Sequence, residues 1–292
     1  MWIARTVTDL RRHRQALHGS VALVPTMGAL HGGHLSLIDR GKSVCEHVIV
    51  TIFVNPTQFG PHEDYTAYPR SEDRDLVACE QSGVAGVFIP AVEHVYPVEV
   101  PATELAVPSM MATLEAEHRT GHLQGVVRVV LKLLNMVQPD AACFGRKDFQ
   151  QLRVVQAMVA DLYLPVSIIE CDTVRDPDGL AVSSRNVHLS PQARGQALGL
   201  HKALCHAQTL VEQSGETEPR RVESAMRQVL QSHHVTVDYA VVRHPVTMVP
   251  LDCLEPALTG GVVALVAGRV GGVRLIDNMM LAQPPSAADR DE

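Results

Sequence analysis

No CxxC pair occurs anywhere in the 292-residue chain, and its six cysteines (Cys45, Cys79, Cys143, Cys171, Cys205, Cys253) stand far apart. That spacing argues against zinc ribbons and thioredoxin-like redox pairs, and a chain of this size needs no disulfide scaffold. Most of the six sit in apolar neighbourhoods, as small core residues do. Lysine is scarce: Lys42, Lys132, Lys147 and Lys202 stand against 21 arginines. A formal net charge of −7 argues against a surface that coats nucleic acid, although a local basic pocket stays open. Long apolar runs are missing too. No stretch approaches the roughly 20 residues of a membrane span, and MWIARTVTDLRRHRQAL lacks the apolar centre of a secretory signal. A soluble, cytoplasmic protein without internal repeats is expected, with neither membrane nor nucleic acid as partner.

What is present is core material, 46% hydrophobic residues, enough for one large domain or two moderate ones. Short β-rich runs at 21–25, 48–54, 85–90, 141–144 and 166–170 read as strands. They are almost continuously apolar rather than alternating, as in a parallel sheet covered on both faces. Helical patterns at 35–42, 71–81, 126–137 and 149–162 fall between them, and Val126, Val129, Val130, Leu133, Leu134 and Val137 keep a 3.6-residue spacing. The alternation predicts an α/β, doubly wound, Rossmann-like parallel sheet over 1–175, with ligands at the carboxyl ends of its strands. Past the turn Asp176-Pro177-Asp178-Gly179 the texture changes. Helices at 191–213 and 219–234, strands at 235–243, 262–269 and 273–277, and turns at Gly260-Gly261 and Gly271-Gly272 predict a smaller α+β domain over 176–282. The tail 283–292 has a disordered composition.

The stretch VALVPTMGALHGGHLSLI (21–38) runs a strand into a helix through glycines and two histidines. Such a turn aims backbone N–H groups and the positive helix end at one point, an anion site. It is neither GxGxxG nor GxxxxGK[ST], so dinucleotide-binding and P-loop readings both fail. His31 and His34 are spaced to share one face, where imidazole N–H groups suit a phosphate, and Gly32 and Gly33 permit close approach. The bland alternative is a pair of exposed loop histidines in a chain that holds 15. A metal site lacks a completing ligand set nearby.

Three more segments stand at corresponding places. IFVNPTQF (52–59) puts the amides of Asn55 and Gln58 at a strand end, suited to a substrate with a carboxylate and hydroxyls, or else to a plain polar turn. FGRKDFQQL (144–152) offers Lys147 as a mobile cation for phosphate, Asp148 as an acceptor for ribose hydroxyls and Gln151 one turn on; a charged, capped helix start is the plainer reading. DGLAVSSRN (178–186) gathers Ser183, Ser184 and Arg185 into a donor cluster able to wrap a triphosphate and to close over it, although such clusters are commonly solvated loop.

Together PTMGALHGGH, IFVNPTQF, EDYTAYPR, FGRKDFQQL and DGLAVSSRN resemble the HxGH nucleotidyltransferase superfamily, and within it the pantoate–β-alanine ligase family, over roughly residues 2–282. The resemblance implies ATP contacts from Met27, Gly28, Ala29, Leu30, His31, Gly32, Gly33 and His34, from Gly145, Arg146, Lys147 and Asp148, and from Val174, Val182, Ser183, Ser184 and Arg185. It implies pantoate binding by Asn55, Gln58 and Gln151, with Gln58 also meeting β-alanine, and catalytic roles for His34, His31 and Lys147. Arg119 and His122 line up with an Arg-x-Gly-His segment, Glu115 would lie near the amine substrate, and Asp75 is a weak candidate for an outer metal contact. No protein metal cage is implied: Mg²⁺ would come with ATP, held by its phosphates and water. A homodimer is implied as well.

The implied reaction has two steps. Pantoate's carboxylate attacks the α-phosphorus of ATP, releasing pyrophosphate and forming a pantoyl-adenylate; the amine of β-alanine then displaces AMP. Departures from the family pattern are Arg146 for a glutamate, Val182 for a methionine or leucine, His188 for a tyrosine, Thr120 for a proline and Leu123 for a phenylalanine. Arg146 would add charge beside the nucleotide, and Val182 would lose apolar contact with adenine. Two rivals are an HxGH enzyme acting on a phosphorylated acceptor, which would favour cations where Gln58 and Gln151 stand, and a nucleotide-binding regulator without turnover.

Overall fold

The computed structural model describes residues 1–61, 65–254 and 261–282. Glu63, Asp64, Gly260 and the tail 283–292, named above as part of a motif, a turn and a disordered end, lie outside these residues. The chain divides into two compact units, one formed by 1–146 with 150–174, the other by 147–149 with the chain from Arg175 onward.

In the first unit six strands form one sheet: β1 (Trp2–Ala4), β2 (Val21–Thr26), β3 (His47–Ile52), β4 (Gly86–Phe88), β5 (Ala141–Gly145) and β6 (Ser167–Cys171). Their order is β1-β4-β3-β2-β5-β6, and every pairing is parallel. The central strands are the continuously apolar ones. Val21, Ala22, Leu23 and Val24 are all fully buried, as expected for strands covered on both faces. β1 escapes the sequence pattern because three residues at a sheet edge are too few to show a period. Helices α1 (Val7–Ala16), α2 (Gly32–Val44), α3 (Glu72–Gln81), α4 (Val92–Val95), α5 (Glu115–His118), α6 (His122–Val137) and α7 (Phe149–Asp161) connect these strands. The chain leaves β2 toward β3 on one side, while β5 pairs with β2 on the other. The strand order therefore reverses at β2 and β5, and their carboxyl ends form the crevice where open α/β sheets bind ligands.

Two helices begin earlier than their apolar pattern. α2 starts at Gly32 rather than 35, because capping overrides the poor helix propensity of Gly32 and Gly33. α6 starts at His122 rather than 126, because its first turn is buried through His122 and Leu123, ahead of the valine-rich repeat. The α6 face that includes Val126, Val129, Val130, Leu133, Leu134 and Val137 is buried in the core of this unit.

The second unit is an antiparallel sheet of β7 (Thr236–Arg243), β8 (Val262–Val270) and β9 (Val273–Ala282), in that order, with α8 (Pro191–Gln208) and α9 (Pro219–Ser232). Gly271 and Gly272 turn β8 into β9 with φ of 56° and 83°, which fits a primed hairpin turn. The predicted helix 191–213 ends as regular α-helix at Gln208 and continues as a single π-helical turn. Arg175 forms two hydrogen bonds to the buried Asp277 carboxylate, at 2.6 and 2.9 Å. Among the described residues no helix is long and apolar enough to cross a membrane.

Candidate active site

The loop after β2 is held in a conformation that costs energy. Gly28 and Ala29 both have positive φ, 84° and 52°, and alanine adopts this region at a penalty. The compensation comes from Asp75 at the start of α3, only 2% exposed, whose carboxylate accepts the N–H groups of Ala29 (2.9 Å) and Leu30 (2.8 Å). Ser71 Oγ donates to the same carboxylate at 3.2 Å. With three donors on its carboxylate, Asp75 shapes the loop. Asp75→Asn keeps one acceptor but turns an N–H donor toward a backbone donor. Loss of this charge-assisted pair is expected to cost about 1.5–3 kcal/mol of stability and to raise the KM for ATP about tenfold, read by thermal melts and initial rates. Unchanged values for both would refute the role.

At the mouth of α2 the two histidines cap the helix reciprocally. Gly33 N–H donates to His31 Nδ1 (3.2 Å) and His31 N–H to His34 Nδ1 (3.4 Å), while the two rings stack with centroids 4.1 Å apart. The consequence runs against the simple anion-nest reading: the N–H groups of Ala29, Leu30, His31 and Gly33 are already bonded to protein acceptors. What the loop presents to an anion is the other side of the imidazoles. Because each Nδ1 accepts, each neutral ring carries its proton on Nε2. Each ring therefore carries its N–H donor on the side away from the helix cap.

Gln58 is 7% exposed at the carboxyl end of β3, and its amide is positioned from both sides. Its Oε1 accepts from Asn55 Nδ2 at 3.1 Å, and its Nε2 lies 2.9 Å from Met27 Sδ, which ties it to the histidine loop. Asn55 itself is spent on the protein. Its Nδ2 also donates to Gly125 O (3.1 Å), and its Oδ1 accepts from Thr57 N (3.2 Å), Thr57 Oγ1 (3.0 Å) and the Tyr96 hydroxyl (2.9 Å). The sequence expectation of Asn55 as a pantoate ligand is therefore recast: its 1% exposed amide orients Gln58.

α6 supplies the rest of this cradle. His122 lies between Gln58 O (2.9 Å from Nδ1) and Arg119 Nη1 (2.9 Å from Nε2). Since arginine can only donate, Nε2 accepts and Nδ1–H donates to the Gln58 carbonyl. Arg119 also lies 4.0 Å from the buried Glu115 carboxylate. Glu115 N–H donates to Gln150 Oε1, and Gln150 Nε2 donates to the carbonyls of Met110 and Thr113, so Gln150 pins this loop. The neighbouring Gln151 is half-buried, and its amide has no hydrogen-bond partner among the described residues. Two adjacent glutamines thus divide the work, one structural and one available.

At the end of β5, Gly145 and Arg146 are half-buried. The Arg146 guanidinium pairs with Glu170 (2.9 Å) and Asp172 (3.0 Å) on and after β6, so the charge it adds is locally balanced. Burial pushes the Glu170 carboxyl up, but hydrogen bonds from Gln156, Arg146 and Arg153 outweigh it, and the group is held below its usual range. A depressed carboxylate contributes stability above its unfolded pKa of about 4.3 and loses it as pH falls through the lower folded value. Glu170→Gln is therefore expected to flatten the loss of thermal stability as pH falls below about 4.3. An unchanged slope would refute the assignment.

In the second unit, Lys147 is mostly buried, its Nζ 3.8 Å from Asp148 Oδ1, and its carbonyl accepts from Asn278 Nδ2 at 2.9 Å. Ser183 caps the short 3₁₀ turn Ser184–His188 by accepting from Arg185 N–H at 3.3 Å. Val182, Ser184 and Arg185 are half-buried here, and so is Val174 in the first unit; His188 is exposed. Met27, Ala29, Leu30, His31, Gly33 and His34 are half-buried and Gly32 exposed. Within the first unit the structure joins the histidine loop to Gln58 through Met27. Asp75 proves to be a loop-shaping residue, while Tyr96, Gly125 and Gln150 were missed from sequence; Gly125 stands just ahead of the helical pattern expected at 126–137 and falls inside α6 only in the structure.

The family model for pantoate-beta-alanine ligase matches residues 2–280. The chain belongs to the pantoate-beta-alanine ligase family. A pantothenate synthetase of Acidothermus cellulolyticus is 47% identical over 277 residues, 95% of this chain and 90% of that one. The crystal structure of pantothenate synthetase from Thermus thermophilus superposes with a TM-score of 0.90 at 41% identity, covering 97% of this chain and 100% of that one. The pantoate-beta-alanine ligase of Francisella tularensis, solved with beta-gamma ATP and beta-alanine, gives a TM-score of 0.79 at 31% identity over 98% of this chain and 100% of that one. The sheet of six parallel strands and the smaller antiparallel sheet are thus those of a pantoate-beta-alanine ligase.

Proposed function

We propose that this chain condenses pantoate with β-alanine at the expense of ATP through a pantoyl-adenylate. The observation that carries the reading is the pair of imidazoles fixed with Nε2–H directed away from the cap, at the sheet's reversal point and linked through Met27 to an oriented amide. Gln58 and Gln151 grip pantoate, whose carboxylate oxygen bonds to the α-phosphorus of ATP as the bridge to the β-phosphate breaks. Because that nucleophile is already ionised, the step needs neutralisation of charge more than a base. His34 and His31 donate from Nε2 as negative charge moves onto the departing pyrophosphate. The β-alanine amine, having lost its proton, then attacks the acyl carbon beside Gln58, and the C–O bond to AMP breaks.

The assignment of Lys147, Asp148, Ser183, Ser184 and Arg185 to ATP rests on the family motifs. Among the described residues no group of three or more His, Cys, Asp or Glu side chains can hold a metal, and Asp75 is spent on backbone. This donor set fits Mg²⁺ arriving as the ATP complex, held by phosphates and water, where it withdraws charge from the triphosphate. We place the protein in the cytoplasm as a homodimer. The test is pyrophosphate release with ATP, Mg²⁺ and pantoate, with and without β-alanine. Turnover stimulated by β-alanine is expected; ATP binding without release would move the protein to a regulatory role. Product formed only with a phosphorylated acceptor would favour another HxGH transferase.

A further inference from the structure

A cavity of about 390 Å³ opens in the first unit between α1, α6 and the segment 96–105, and no residue of the histidine loop lines it. Its walls carry three cations, Arg11 from α1 with Arg128 and Lys132 from α6, and no carboxylate. Glu99 and Glu104 belong to the same stretch of chain but do not line it. Arg128 and Lys132 both lie against Tyr96, with Cζ 4.8 Å and Nζ 5.4 Å from the ring centroid. Among the described residues none of the three cations has a carboxylate partner, and Arg128 Nε is buried with no acceptor at all.

Two like charges over one ring repel each other, and the ring's quadrupole compensates only part of their lost hydration. The strain shows on Lys132, whose ammonium is pushed toward neutrality by burial and by Arg128. Tyr96 cannot swing away to relieve it. Its hydroxyl donates to Asn55 Oδ1 at 2.9 Å and lies 3.2 Å from Thr57 Oγ1, so this wall of the cavity is pre-formed. The same lining also carries apolar side chains, including Val100, Leu105 and Leu131. Cations without counter-charge interleaved with apolar surface, around a volume in the range of small-molecule sites, fit an anion that carries an apolar body.

We propose that this cavity is a binding site for a small organic phosphate monoester, its dianionic head on Arg128, Lys132 and Arg11 and its apolar body against Leu105 and Leu131. The dianion matches the excess positive charge, and the body matches the apolar side chains.

The test uses phenyl phosphate as probe, titrated calorimetrically into the full-length protein with ATP present to occupy the nucleotide site. One probe per chain is expected, with affinity reduced about tenfold or more by Arg128→Gln with Lys132→Gln and less by Arg11→Gln, an exposed position that keeps the test alive if the double variant misfolds. His34→Ala should leave probe binding intact. The proposal is overturned by absence of saturable binding, by equal affinity for inorganic phosphate or phenylacetate, or by loss of the probe in His34→Ala, which would put it in the nucleotide site. Because binding is read without turnover, failure here is separable from failure of the ligase reading.

Discussion

His34→Ala is expected to lower pantoate-dependent pyrophosphate release by about 10²–10³, the usual cost of one pre-organised donor at developing negative charge. Alanine removes two things at once. It removes the Nδ1 acceptor that closes the α2 cap and the Nε2–H that faces away from it. Asparagine and glutamine separate them, because asparagine reaches only the Nδ1 position and glutamine reaches Nε2. His34→Asn should keep the cap, with thermal stability within about 0.5 kcal/mol of wild type, and be as slow as the alanine variant. His34→Gln should lose about 1 kcal/mol of capping yet recover part of the rate. If the asparagine variant turned over normally, the histidines would be helix caps and nothing more. His31→Ala removes the other half of the same reciprocal cap and should lose stability by a similar amount.

Gly125→Ala is expected to be nearly as damaging, although the residue touches no substrate in the proposed reaction. A Cβ at Gly125 would stand 2.2 Å from Thr57 O, 2.5 Å from Thr57 C and 2.7 Å from Gln58 Cα. All three are backbone atoms, so no side chain can turn aside, and α6 must shift away from the Pro56–Gln58 turn. That shift breaks the Asn55 bond to Gly125 O and stretches the His122 bond to the Gln58 carbonyl, the contacts through which α6 holds Asn55 and the Gln58 backbone and so the amide that Asn55 orients. Overpacking of this kind costs about 1–3 kcal/mol of stability. A displacement near 1 Å costs about 100-fold in an oriented reaction. Initial-rate kinetics should therefore show a large rise in the pantoate KM and a lower kcat, while ATP affinity by direct binding changes little. A wild-type pantoate KM in a folded variant would mean that Gln58 is not positioned from α6.

The fold class was legible in the chain because buried parallel strands must be apolar on both faces, and Val21, Leu23, Ile49 and Val50 carry that pattern without help from their surroundings. The position of the site was legible for a related reason. Glycine, histidine and amide residues clustered directly after β2 and β3 interrupt the apolar runs where the chain leaves the sheet. Residue type and order sufficed to single out His31, His34 and Gln58 as the residues the proposed reaction uses.

Which group performs which task was decided by tertiary contact. Asn55 and Gln58 are both amides at one strand end, yet only their neighbours, Gly125 O, Tyr96 and Thr57 against Met27, make one a support and leave the other held at the end of β3. Gln150 and Gln151 differ by a single helical step, which points one at three backbone groups of a distant loop. Asp75 lies 46 residues from Ala29 and closes on it only in the folded chain. Arg146 reads as added charge until β6 places Glu170 beside it. Local sequence determines secondary structure and the supply of functional groups, because both depend on near neighbours. Hydrogen-bond partners and ion pairs between residues distant in sequence exist only once the sheet has assembled, and they decide which of those groups are tied to the protein itself.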